Sequence, residues 1–388
     1  MNLTPEEEAI LNGEEGETRQ QLMEILIGVG TVFGADEMVP IRSAQVSGAS
    51  YKTIGEWGLK WLQNLQAKAS VPAVLNPVGM DRIRWQEMGI DPEFARKQLE
   101  VISSYEALGI RLECTCTPYY LYITEYGDHL AWSESSAVSY ANSVIGARTN
   151  REGGPSALAA AIIGKTPKYG LHLVENRKPQ LHINVRSEPE NPDASWYGAL
   201  GFLAGKISGN RIPIFSGIRP ARDQLKNLGA AMAATGAVAL YHVEDITPEA
   251  RIFTYDYSGL EEIVIEAGDI ADLFTGEIPD AVAIGCPHCS PEEIEHLAGL
   301  LDGCTVKRPV YIFASRDVIN RTPELVRKIE RSGARVYADT CMVVSPSLEK
   351  YSRIMVNSGK ALAYVPTMCG AKATIGTTKS CIDAACTP

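Results

Sequence analysis

DAVAIGCPHCSPEEIEHLAGLLDG (280–303) is an apolar run of strand length followed by a helical segment. The unit recurs on its C-terminal side, as RPVYIFAS (308–315), then TPELVRKIERSGA (322–334), then ARVYADTC (334–341). It recurs on the N-terminal side in IPIFSGI (212–218) and GAVALYHV (236–243). Strands alternating with helices of these lengths predict parallel sheets covered on both faces, an α/β architecture.

Further upstream the same grammar continues with PEFARKQLEVISSYEALGI (92–110) as a helix and RLECTCTPYY (111–120) as the next strand. VPIRSAQVSGAS (39–50) reads as a strand entering a small-residue loop. Thr4, Pro5 and Glu7 form a capping-box start to a first helix that Gly13 stops. Leu22, Ile25, Leu26 and Val29 mark one face of a second. At 388 residues the chain exceeds what one core supports, so several subdomains are expected. They are drawn as a helical and strand segment over 1–65, a first α/β subdomain over 66–205 and a second over 206–388.

Lys plus Arg number 36 against 47 Asp plus Glu, a net charge of −11. A chain this acidic gains nothing from neutralising phosphates along a polymer, so nucleic acid is not expected as a partner. An anionic small molecule is, provided that positive charge is concentrated locally. No apolar stretch approaches the ~20 residues of a membrane span, and the first residues carry no basic start or apolar signal segment. A soluble, cytoplasmic protein is expected.

There are nine cysteines. Cys116, Cys286 and Cys341 each stand at the end of an expected strand, and open α/β sheets gather ligands beyond the carboxyl ends of their strands. Three converging thiolates suit an iron–sulfur cluster better than structural zinc, which prefers four ligands. Such a cluster leaves one iron free to act as a Lewis acid. Cys286-Pro-His-Cys289 looks like half a zinc knuckle without a second half. Cys114 alternates with Cys116 and cannot face the same site. Cys304 is expected to be structural, and Cys304, Cys381 and Cys386 to be dispensable for chemistry.

TCTPYY (115–120), NSVIGARTNREGG (142–154), GCPHCS (285–290), DTCMVVSP (339–346) and NSGKA (357–361) together resemble the aconitase X family. The resemblance begins at VSGASYKTIGE (46–56) and covers most of the chain. It implies an aconitase-like fold, with several Rossmann-like parallel-sheet subdomains around a central cluster cleft. It implies that Cys116, Cys286 and Cys341 hold a [4Fe–4S] cluster with one open iron, or its [3Fe–4S] form. Substrate contacts map onto Gly48, Ala49, Ser50, Asn76, Pro77, Ser135, Ser136, Asn142, Ser143 and Lys360. Arg148 and Lys360 are candidate countercharges. Glu134 and Asp339 are expected to cap or pair, and His288 to donate to a cluster sulfur or to serve structure.

The activity implied is that of a hydro-lyase dehydrating (R)-5-phosphomevalonate to trans-anhydromevalonate 5-phosphate, working as a heterodimer. A small subunit with a swivelling domain would supply the base, since no catalytic base is evident in this chain. The alternatives are a cis-3-hydroxy-L-proline dehydratase, many of which resemble fusions of large and small parts, and a non-catalytic cluster protein. The chain ends too soon after the cluster region to include a fused swivelling domain of ~130 residues.

Overall fold

The computed structural model describes residues 1–253, 255, 256 and 258–387. Its sheets fall into three successive regions. The first contains β1 (Met38–Pro40), β2 (Ala44–Val46), β3 (Ala73–Leu75), β4 (Ala131–Trp132) and β5 (Lys165–Pro167). Here β3, β2 and β4 make a parallel sheet in that order, and β1 pairs antiparallel with β5. The second contains β6 (Leu181–Arg186), β7 (Pro213–Ser216), β8 (His242–Val243) and β9 (Glu262–Glu266), all parallel in the order β8-β7-β6-β9. The third contains β10 (Ala281–Cys289), β11 (Val310–Ala314), β12 (Arg335–Tyr337), β13 (Arg353–Val356) and β14 (Lys372–Ile375), parallel in the order β12-β11-β10-β13-β14. Three parallel sheets bear out the α/β expectation.

Continuous apolar runs become the central strands because both faces of a parallel sheet are covered. Every residue of β10 is buried. The helix after it, Pro291–Leu300, starts with a capping box in which Ser290 accepts from the Glu293 amide. The first helix, Pro5–Leu11, has the expected box between Thr4 and Glu7. Ala194–Ser208 and Arg222–Thr235 pack closely because glycines line the contact: a Cβ on Gly201 would lie 2.4 Å from the Leu228 carbonyl oxygen.

Several expectations are corrected. A break at 205/206 would fall inside the helix Ala194–Ser208 and part β6 from its partner β7. One at 65/66 would part β2 from β3. GAVALYHV contributes only His242 and Val243, as an edge strand. RLECTCTPYY forms no regular strand: it touches β3 through one isolated bridge, Arg111 to Val74, and Thr115 donates to the Leu75 carbonyl at 3.0 Å. Cys304 and Cys386 form a disulfide. No described helix is long and apolar enough to cross a membrane.

Candidate active site

A cavity of about 410 Å³ opens where the first and third regions meet. Gly48, Ala49, Ser50, Asn76, Pro77, Ser135, Cys341 and Lys360 line it, which places eight of the expected residues on one surface. The loop after β2 forms one wall. It is held from beneath by Gln98, whose amide donates to Ala49 O at 2.7 Å and accepts from the Tyr51 amide at 3.1 Å, and by Tyr105, which donates to Gly48 O at 3.2 Å. Gly48 sits at φ 78°, a conformation that costs glycine little. Ser50 begins the helix Tyr51–Asn64, yet its hydroxyl makes no cap and has no partner although it is buried.

Each expected ligand cysteine has its own mount. Cys341 follows Asp339, a fully buried carboxylate paired with Arg82 at 2.9 Å and with Arg316. Val78 N donates to Asp339 O at 2.8 Å and Cys341 N to Val78 O at 2.9 Å, clamping that turn to the segment after β3. Cys286 lies inside β10, where the register against β11 shifts between Ile284 and Cys289. Gly285 before it has φ 106°, and a Cβ there would meet Phe313 O at 2.1 Å. Ser358 donates to Cys286 O. Cys116 accepts from the His288 amide at 3.2 Å. The three therefore sit on an irregular segment, a strand interior and a turn past β12, not at three strand ends as expected, and of them it is Cys341 that lines the cavity.

The His288 ring serves structure. Its Nε2 donates to Thr340 O at 2.8 Å, which leaves Nδ1 to accept from Thr115 Oγ1 at 3.2 Å. Only its backbone faces a cysteine sulfur.

The electrostatic centre is an ion pair. Glu134 caps the helix Ser135–Tyr140, and its carboxylate accepts from Lys360, from Asn76 Nδ2 at 3.0 Å and from Ser136 Oγ at 3.0 Å. Lys360 lies in the first turn of the helix Gly359–Met368, capped by Ser358, and donates to Ser136 Oγ at 3.1 Å. Burial opposes the Glu134 charge, but Lys360 outweighs it and brings the carboxyl down to about 2. Burial likewise opposes the Lys360 ammonium, and Glu134 with the nearby thiols raises it overall. Burial pushes the Cys116 thiol up to about 12, and it raises Cys286 and Cys341 as well, with Lys360 counteracting in all three. The Lys360 charge thus bears on all three thiols.

Other expected contacts lie elsewhere. Asn142 donates to Thr149 O and Ala239 O, both at 2.9 Å, and accepts from Thr149 N and Arg177, so its side chain is fully used inside the fold. Ser143 accepts from the Tyr241 amide at 2.9 Å. Arg148 does not line the cavity; its charge bears on Arg177, Glu249 and His129. Ser136 is not a wall residue but braces the ion pair. Arg151, three residues after Arg148 and not singled out, does line the cavity. Its run is irregular, so no periodicity distinguishes the two arginines. Among the described residues no three His, Cys, Asp or Glu side chains lie close enough to hold a single metal ion.

Three family models match the chain in succession: the aconitase X first domain over 1–175, the second over 179–275 and the third over 279–387. Their limits fall between the three sheet regions. The phosphomevalonate dehydratase large subunit of Methanosarcina mazei is 55% identical, over 99% of this chain and 97% of that protein. That of Methanocaldococcus jannaschii is 46% identical, over 97% and 98%. A cis-3-hydroxy-L-proline dehydratase from Pseudomonas aeruginosa is 31% identical over 98% of this chain, which spans 69% of that longer protein. The crystal structure of Thermococcus kodakaraensis aconitase X in its holo-form superposes with a TM-score of 0.91 at 44% identity, covering 99% of this chain and all of that one.

Proposed function

Because this chain belongs to the aconitase X family, we propose that it is the large subunit of a hydro-lyase that dehydrates (R)-5-phosphomevalonate. The observation that carries the reading is the cavity bordered by Cys341, by the Lys360–Glu134 pair and by the Ser50 loop. It combines thiol donors, a held cation and unspent polar groups.

Cys116, Cys286 and Cys341 would hold the cluster. Their chemistry supports it: three sulfur donors, Cys116 and Cys286 buried and Cys341 at the cavity wall, each under the influence of the Lys360 ammonium, which favours the thiolate form. A cubane spreads three thiolates over three irons, so its ligands stand further apart than those of one ion. When bound, the cluster supplies Lewis acidity for the oxygens of the carboxylate and hydroxyl.

The chain's own residues do the rest. Lys360, immobilised by Glu134 and Ser136, presents positive charge to an anionic substrate without having to be ordered on binding. Ser50 Oγ and Asn76 Oδ1 have no partner among the described residues; the hydroxyl can donate to a substrate oxygen and the amide oxygen can accept from a substrate hydroxyl. Among the described residues lining the cavity, Glu134 is the one carboxylate, and at about 2 it is too weak a base to remove a proton next to a carboxylate. This supports a base brought by a small subunit, the partner implied by the names of the Methanosarcina and Methanocaldococcus relatives.

The test is iron and sulfide content with visible absorption after anaerobic reconstitution. Cys116→Ser, Cys286→Ser and Cys341→Ser should each lose the cluster. A variant that retains full iron and sulfide is not altered at a ligand, and the site proposed here would then be wrong.

A further inference from the structure

We infer that Arg151 selects a phosphorylated substrate by pairing with its terminal phosphate. The inference rests on the dehydratase reading above and names the residue that makes it specific.

Three charged side chains line the cavity: Glu134, Lys360 and Arg151. Glu134 and Lys360 are bound to each other, so the pair adds no net charge to the cavity. Arg151 makes no hydrogen bond or ion pair among the described residues. The net positive charge of the cavity lining is therefore carried by Arg151, while Lys360 remains a local ammonium donor beside its carboxylate partner. A phosphate monoester brings about −1.5 to −2 charges, more than a carboxylate. A guanidinium meets it with two parallel donors in a fixed fork.

An unpaired arginine near a surface is ordinary; the mounting of this one is not. Asn150 donates to Tyr169 O at 3.0 Å and accepts from Leu171 N at 2.9 Å. Glu152 N donates to Trp132 O at 3.1 Å, and the Glu152 carboxylate accepts from Ser156 at 2.6 Å and Thr166 at 3.1 Å. Gly154 packs so tightly that a Cβ would lie 2.7 Å from Ser47 O. The backbone on both sides of Arg151 is thus fixed, by Tyr169 and Leu171 before it and Trp132 after it, with Gly154 seated on Ser47, and only its side chain is left free at the rim.

A second observation points the same way. Ser50 is 3% exposed, lines the same wall, and its hydroxyl has no partner. A buried hydroxyl without a partner is costly unless something completes it, and an anionic oxygen would. Arg151 and Ser50 would together receive the phosphate in the cavity that Cys341 also lines.

Calorimetric titration of 5-phosphomevalonate and of mevalonate into the cluster-loaded complex with its small subunit tests this. Wild-type complex should prefer the phosphorylated ligand. Arg151→Gln should cut that preference roughly ten- to a hundredfold, and Arg151→Lys by less. Cluster absorption and thermal midpoint should match wild type, which separates lost recognition from misfolding. An Arg151→Gln complex with its preference intact, or one weakened equally toward both ligands, overturns the inference. A wild-type complex that does not favour the phosphorylated ligand overturns the dehydratase reading and this inference with it.

Discussion

Glu134 grips Lys360 across 226 positions of sequence, joining the N-terminal ends of two helices, and the Lys360 charge bears on the thiols of Cys116, Cys286 and Cys341. Removing one member of a buried pair leaves the other uncompensated, at a cost of about 3–5 kcal/mol. Glu134→Gln and Lys360→Met should each destabilise the chain by that order in denaturant titrations. The double variant should lose far less than the sum, and strict additivity would show that the pair is not coupled.

In the assembled enzyme, Lys360→Ala should lower kcat/KM roughly ten- to a hundredfold, as expected for losing a charge-assisted contact to an anion. Iron content should stay at the wild-type value, since the lysine is not a ligand. Loss of iron along with activity would mean that Lys360 acts through the cysteines.

Asn142→Ala should weaken folding without altering substrate preference. It strips partners from Arg177 and from the Thr149 amide, which leaves buried donors unmet at about 1–3 kcal/mol each. A selective change in substrate preference at unchanged stability would restore Asn142 to the binding surface.

Stability should fall with acid. Burial depresses His172 to about 3 and His242 to about 4, so both are neutral in the folded chain. The unfolded chain takes up these protons near pH 6.5 and the folded chain does not. Their contribution is therefore complete above pH 6.5 and is lost as pH falls toward 4, by about 1.4 kcal/mol per group and pH unit. Denaturation midpoints measured from pH 7 to 4 should decline, and His242→Gln should flatten the slope. A flat profile in the wild type would show that these rings charge without penalty.

The third sheet was the most legible part of the chain. Its central strands are continuous apolar runs, 280–290 and 308–315, each followed by a helix, and burial on both faces makes that pattern unambiguous. Edges were harder. GAVALYHV looked like a full strand, but Ala237 sits at φ 58° and Gly236 presses on the Gly205 carbonyl, so only the last two residues pair. The cysteine trio was chosen from a picture of three strand ends that the structure replaces with an irregular segment, a strand interior and a turn. That Arg151 and not Arg148 lines the cavity was not legible, because side-chain direction in an irregular segment is set by contacts such as Asn150 to Tyr169, which no local pattern encodes.

The most direct test of the central claim is product formation from (R)-5-phosphomevalonate, followed by NMR, with the reconstituted chain alone and with its small subunit. The account predicts anhydromevalonate 5-phosphate from the complex and none from the chain alone. Turnover by this chain without its partner, or a cluster-loaded complex that leaves phosphomevalonate untouched while consuming cis-3-hydroxy-L-proline, would contradict it.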